Sequence, residues 1–251
     1  MLGLLNAVIS KGSGLIQYVK EGLVMANRFL TPPSLSHPAQ GSAEFDGASD
    51  YIQLDTPFSY TNHTIAAWVY GEGNNDSKYI FDNRDASDDG IRLISRNDET
   101  IRYSVNAIDV DTSASYTNEW VYAVGTYDGT TAKLYVDGSV LSSQATSQTI
   151  STTTDARIGI QSFTNSQYFD GNLANVAIWN RALSSDEINS VMWKGYQSLT
   201  STEQSGLQAW YSLDDVASPS ASLATMEALA VDKDATIENK AAITAAINAL
   251  S

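Results

Sequence analysis

The sequence predicts an all-β protein, an antiparallel β-sandwich with short helical N- and C-terminal extensions. Three observations carry this. Short strand-like runs between residues 41 and 213 are separated by clusters of Gly, Asp, Asn and Ser, as in a sandwich or barrel. Asp128-Gly129 and Asp137-Gly138 are hairpin signals, because glycine takes the positive φ that tight hairpin turns require. A single capped helical pattern begins at Ser184, after the last long strand run.

Residues 1–30 have a helical pattern. Leu4, Leu5, Val8 and Ile9 cluster, and Leu15, Ile16, Val19 and Leu23 recur at helical spacing. Gly3, Gly12, Gly14 and Gly22 each weaken a helix by roughly 1 kcal/mol relative to alanine, so the segment needs a surface to dock on. Three prolines between Thr31 and Pro38 then form an extended linker, which closes an attachment region at residue 40. The predicted strands of the domain, 41–215, are 43–46, 50–54, 63–70, 78–83, 90–96, 100–106, 119–127, 131–137, 155–160, 172–179 and 207–213.

Ile91 and Leu93 alternate with Arg92, and Ile101, Tyr103 and Val105 with Arg102 and Ser104, the period of a half-buried strand. Leu173, Val176 and Ile178 break strict alternation, and a β-bulge near Ala174–Asn175 restores it. Ser184 and Glu187 have capping-box spacing, Leu183 and Ile188 that of a hydrophobic staple, and the helix is expected to plug one end of the sandwich. The tryptophans at 68, 120, 179, 193 and 210 read mostly as core. Residues 216–251 return to a helical pattern, with Leu223, Met226 and Leu229 on one face and Ile243, Ile247 and Leu250 on another.

Composition excludes several functions. There are no cysteines, so thiolate chemistry and zinc–thiolate sites are out, and only two histidines, His37 and His63, are available to a triad or metal site. Lys and Arg total 14 against 29 Asp and Glu, a formal charge of −15 that repels nucleic-acid phosphates. No apolar run approaches the roughly 20 residues of a membrane helix, so no membrane insertion is expected. The first ten residues lack a basic region and a small-residue cleavage site, so no signal peptide is expected.

The ordered set Phe45-Asp46-Gly47, Asp50-Tyr51-Ile52, Thr64–Tyr70, Trp120–Gly129, Leu134–Gly138, Phe169-Asp170-Gly171 through Ile188, and 206–214 resembles the laminin G-like domains of the concanavalin A-like lectin/glucanase superfamily, especially those of phage and marine viral virion proteins. The resemblance covers about residues 41–215. It implies a jelly-roll of two antiparallel sheets used for glycan or protein adhesion, often with calcium at its rim.

Two constellations follow. Asp46 and Asp170, each in a Phe-Asp-Gly at a strand end, are the candidate calcium ligands, with Asp50 and Asp82 behind them; the other reading is that these aspartates shape turns. Asp82, Asn83, Arg84, Arg92, Arg102 and Asn106 are the candidate glycan-binding residues. Amides and carboxylates orient a sugar, and guanidinium groups grip a sulfated or carboxylated one. The competing reading pairs these arginines with nearby aspartates. Tyr116, Tyr122 and Tyr168 stay open between core and stacking roles. No catalytic residue is assigned. Retaining glucanases of this fold place paired carboxylates about 5 Å apart in a Glu-x-Asp-x-x-Glu run, and Glu44, Glu72, Glu99 and Glu119 are isolated.

The expected function is therefore a non-catalytic lectin-like module of a virion, such as a phage capsid decoration or fibre. It would bind glycan or host-surface polysaccharide and contact a virion protein through residues 1–30. The module would form a homo-oligomer on the virion surface after assembly in the host cytoplasm. A structural capsid or tail cement protein is the alternative, and a polysaccharide-degrading enzyme the remote one.

Overall fold

The computed structural model describes residues 16–20, 23–27, 41–54, 60–72, 77–150, 156–164 and 166–213. The chain divides into two units, residues 1–36 and 37–251. In the first, β1 (Ile16–Lys20) and β2 (Leu23–Asn27) form an antiparallel hairpin in which Lys20 pairs with Leu23. This corrects the helical pattern expected there. Gly22, which weakens a helix, suits a two-residue hairpin connection, and Ile16, Tyr18, Val19 and Val24 favour strand. The C-terminal helical pattern over 216–251 lies outside the described residues.

The second unit contains β3 (Ala43–Asp46), β4 (Ile52–Gln53), β5 (His63–Gly71), β6 (Lys78–Asp82), β7 (Ile91–Ser95), β8 (Ile101–Val105), β9 (Ile108–Asp111), β10 (Trp120–Tyr127), β11 (Thr131–Val136), β12 (Ser139–Ala145), β13 (Arg157–Ile158), β14 (Asp170–Trp179), α1 (Ser185–Val191), a 3-10 turn Tyr196–Ser198, α2 (Ser201–Gln204) and β15 (Leu207–Tyr211). A seven-stranded sheet runs β12-β11-β10-β5-β14-β15, with β3 beside the start of β14, and a six-stranded sheet runs β4-β13-β6-β7-β8-β9. Every strand pair within the two sheets is antiparallel. The architecture is the jelly-roll sandwich expected.

Local chemistry explains the connections. Asp137 and Gly138 both have positive φ and form the two-residue turn between Val136 and its partner Ser139, the type I′ geometry that matches strand twist. At the other Asp-Gly pair the loop is longer: Tyr127 pairs with Ala132, and Asp128 Oδ1 accepts from the amides of Thr130 and Thr131. The bulge in β14 falls where expected. Ala174 pairs with Trp68 and Ala177 with Ala66, so one extra residue is inserted and Leu173, Val176 and Ile178 all reach the core.

The sheets meet at one close contact. A Cβ at Gly125 of β10 would collide with the Tyr103 ring of β8, so the ring lies flat on bare backbone. The Tyr103 hydroxyl donates to His63 Nε2 at 2.5 Å, and His63 Nδ1 donates to the Tyr60 carbonyl at 3.0 Å, which satisfies a fully buried imidazole.

The outer face of the seven-stranded sheet is also covered. Trp68 and Trp179, fully buried, donate their indole N–H groups to the carbonyls of Met192 and Glu203 at 2.9 and 2.7 Å. Thr64 Oγ1 accepts from the Leu183 amide and donates to the Arg181 carbonyl. Helix α1, with the expected Ser184–Glu187 capping box and buried Leu183, Ile188 and Val191, thus lies on this face rather than plugging an end. The reason is in β5, whose residues His63–Val69 are buried on both faces and demand a second apolar layer. A further capping box, Thr200–Glu203, starts α2. Of the remaining tryptophans, Trp210 is buried and Trp193 is 47% exposed, which corrects its placement in the core.

Burial holds the His63 imidazole down at about 4, against an ordinary value of 6.5. The unfolded chain therefore binds the extra proton between those values, so His63 stabilises the fold fully above pH 6.5 and loses that contribution as pH falls through 4. Urea unfolding should show stability falling with acid, by at most ~1.4 kcal/mol per pH unit from this group. His63→Gln should be less stable at neutral pH but should flatten the slope from pH 6.5 downward; equal slopes in both proteins would refute the assignment.

Candidate functional site

The six-stranded sheet presents its outer face without a covering helix among the described residues, and a polar row crosses all six strands there. In register, Gln53 pairs with Arg157, Arg157 with Asp82, Asp82 with Arg92, Arg92 with Ser104, and Ser104 with Asp109. Alternation puts these side chains opposite the core residues Ile52, Ile158, Phe81, Leu93, Val105 and Val110.

All six residues predicted to bind a ligand lie on this face or on its β6–β7 rim, and each is engaged within the protein. Asp82, Asn83 and Arg84 are buried. Asp82 Oδ1 accepts from Arg84 Nε at 2.9 Å, and its Oδ2 accepts from the amide and hydroxyl of Ser162 at 2.9 and 3.1 Å. Arg84 also donates to Asp88 and to the Tyr79 hydroxyl, and its guanidinium lies over the Tyr79 and Phe163 rings, 5.4 and 5.7 Å from their centroids. Burial alone would lower the Arg84 guanidinium, but Asp82 beside it outweighs this and raises it.

Asn83 Oδ1 accepts from the Ile91 amide at 2.7 Å, and Asn106 Oδ1 from the Gly90 amide at 2.9 Å, so the two amides clamp one rim. Arg92 bonds Ser104 and Asp109 at 2.8 Å each, and Arg102 grips Asp111 through Nε and Nη2 at 2.5 and 2.7 Å. The pairing of arginine with aspartate, one of the two readings open from the sequence, describes this surface.

The two candidate calcium ligands meet as cross-strand partners in the β3–β14 ladder. Asp46, however, is committed to its own turn. Oδ1 accepts from the amides of Ala48, Ser49 and Asp50 at 2.7–3.0 Å, and Oδ2 from the Ser49 hydroxyl at 2.7 Å. The Ser49 and Ala48 amides hold its carboxyl well below the usual carboxylate range. Calcium takes roughly six to eight oxygen ligands, and among the described residues no group of three or more His, Asp or Glu is placed to hold a metal ion. The described residues at this pair do not fit calcium.

Two surface features remain, both invisible as motifs. At the β4–β13 edge, Tyr51 and Tyr168 are half-buried with ring centroids 6.4 Å apart, and Arg157 lies 5.6 Å over the Tyr51 ring while donating to Gln53 at 2.9 Å. Phe163, 41% exposed, lies against the Arg84 guanidinium on the segment whose Ser162 binds Asp82. Tyr122, by contrast, is buried against Trp68.

The second feature is a small, open cleft at one end of the sandwich, lined by Glu72, Lys78, Arg96, Glu99, Tyr116 and Asp170. The glutamates isolated in sequence are thus not all isolated in space.

Removing Arg84 leaves the Asp82 carboxylate buried and uncompensated, which costs about 3–5 kcal/mol. Arg84→Ala should lower the urea midpoint accordingly, and Arg84→Lys should restore little, because lysine cannot reproduce the fork to Asp82 and Tyr79. Wild-type stability in either variant would show the cluster to be energetically idle.

Comparisons place this geometry. No curated protein sequence matches the chain. Among solved structures, a Bacteroides ovatus protein named for proposed carbohydrate binding superposes with a TM-score of 0.60 at 17% identity, covering 70% of this chain; the chain spans about half (52%) of that protein. The CBM40 of the Ruminococcus gnavus IT-sialidase, bound to α2,3 sialyllactose, gives 0.50 at 14% identity, covering 61% of this chain and 99% of its own. Domains LG4-5 of the mouse laminin α1 chain give 0.46 at 16%, covering 66% and 48%. The Laminin_G_3 profile matches residues 46–189, more than half of the sequence, and the chain belongs to that family of the concanavalin A-like lectin/glucanases superfamily.

Proposed function

We propose that this protein is a non-catalytic glycan-binding module whose ligand lies on the outer face of the six-stranded sheet at the β4–β13 edge. The carrying observation is the meeting of Tyr51 and Tyr168 with Arg157 and Gln53 on the face that no helix covers among the described residues. Sugars dock on aromatic rings and are oriented by a few planar polar groups, and here both kinds are at the surface. The structural likeness to carbohydrate-binding proteins supports the reading at the level of fold.

A second reading, glycoside hydrolysis, is favoured by the carboxylates of Glu72, Glu99 and Asp170 lining one cleft. A general acid needs a raised pKa. Hydroxyl donors beside Glu99, with Ser115 Oγ at 2.7 Å, instead hold its carboxyl below its ordinary value. Binding without turnover is therefore the reading adopted.

The finer part of the proposal places the module on a virion surface, attached through residues 1–30. Its support is the resemblance of residues 206–214 to viral domains. Deleting residues 1–30 should abolish incorporation into particles while leaving a folded sandwich; normal incorporation would remove this part.

A glycan array followed by titration calorimetry tests the binding site. Tyr51→Ala and Tyr168→Ala should each weaken binding about tenfold or more, the equivalent of ~1.4 kcal/mol, without loss of fold. Affinity unchanged by both substitutions, or no binding to any glycan, would sink the site. Release of reducing sugar that disappears in Glu99→Gln would instead establish hydrolysis.

A further inference from the structure

We infer that β12 is a self-association edge, pairing antiparallel with β12 of a second copy of this chain about a two-fold axis. This is independent of the glycan site. Strand β12 ends the seven-stranded sheet and pairs only with β11. Six of its seven residues are exposed, on both faces, although the strand passes close to β9 of the other sheet. Among the described residues no hydrogen bond outside the β11 ladder reaches the backbone of residues 139–144. Its outer N–H and C=O groups are therefore a template for another strand.

The other edges of the two sandwich sheets are short or carry charged residues, and this one is neither. Strand β9 carries Asp109 and Asp111, which take up Arg92 and Arg102, and β4 is only two residues long. Strands β3 and β15 are four and five residues and share one flank of β14. Strand β12 is seven residues long and contains no charged residue and no proline. Proteins commonly blunt an exposed edge with lysine, proline or a bulge; β12 has only the bulge, between its pairings with Leu134 and Tyr135.

The occupant follows from charge and symmetry. The chain carries −15, so two copies repel wherever their acidic surfaces approach. Residues 138–150 contain no charge at all, and the carboxylates of the nearby β9 are already paired with Arg92 and Arg102, so little opposing charge meets when two copies approach here. Val140 and Leu141, 49% and 45% exposed, are two of the four large exposed hydrophobic residues among those described, and they are adjacent here. An antiparallel strand pair is self-complementary about a two-fold axis, the commonest symmetry of homo-oligomers. Such pairing would join two seven-stranded sheets into one and cover both apolar side chains.

Sedimentation velocity of the full chain over a concentration series, with amide hydrogen exchange, tests this. A reversible dimer is expected, with slowed exchange confined to residues 139–145 as it forms. Leu141→Lys places like charges across the two-fold, and like-charge juxtaposition costs several kcal/mol; the dissociation constant should rise about a hundredfold or more. Ser143→Lys, at a second exposed site, should do the same if Leu141→Lys is unstable. A chain that stays monomeric at every concentration would overturn the proposal. So would a dimer whose affinity either folded variant leaves intact.

Discussion

Burial of the centre of the seven-stranded sheet on both of its faces is the constraint that decides the rest of the molecule. Strand β5 sits at the centre of that sheet, and its side chains point alternately into the sandwich and beneath α1. Two tryptophans close the second layer by donating to carbonyls at the end of α1 and in α2. An indole N–H left without a partner in such a layer would cost about 1–3 kcal/mol, so the helices are anchored by polar bonds as well as by apolar contact. Among the described residues, the broad sheet face left to present is that of the six-stranded sheet.

That face is rich in charge yet nearly neutral. Arg84, Arg92, Arg96 and Arg102 interleave with Asp82, Asp88, Asp98, Asp109 and Asp111 in a chain of ion pairs across β6 to β9. Exposed ion pairs stabilise little individually. Their larger consequence is for recognition, since guanidinium groups already gripped by carboxylates are poor anchors for an incoming anion. This favours the proposed site on the β4–β13 side, where aromatic rings are accessible.

Much of the architecture was legible in the sequence because its signals are local. Period-two alternation in β7 and β8, the turn at Asp137-Gly138, the bulge at Asn175 and the Ser184 box all rest on a few consecutive residues. Strand β9, Ile-Asp-Val-Asp, was hidden by aspartate's low strand propensity, although Asn106 at positive φ makes the turn that leads into it. Strand β12 was hidden because an exposed edge needs no apolar alternation. Thr200-x-x-Glu203 was as readable as Ser184-x-x-Glu187 but introduces a helix too short to show a period. The N-terminal hairpin was misread because Leu15, Ile16, Val19 and Leu23 suit a helical period while Gly22 suits a turn.

The site was less legible than the fold for a different reason. Arg84 and Arg92 have the composition of a binding loop, and only geometry reveals that neighbouring carboxylates occupy them. Tyr51, Gln53, Arg157, Phe163 and Tyr168 come from segments more than a hundred residues apart, joined through the β13–β4 ladder and the segment following β13. Asp82 links the two sets. One of its oxygens holds Arg84, and the other holds Ser162, next to Phe163. The buried ion pair thereby fixes the segment that carries an exposed ring. Asp82, a candidate sugar ligand in the sequence, is fully buried, and what it visibly does is hold the Ser162 backbone next to the exposed Phe163.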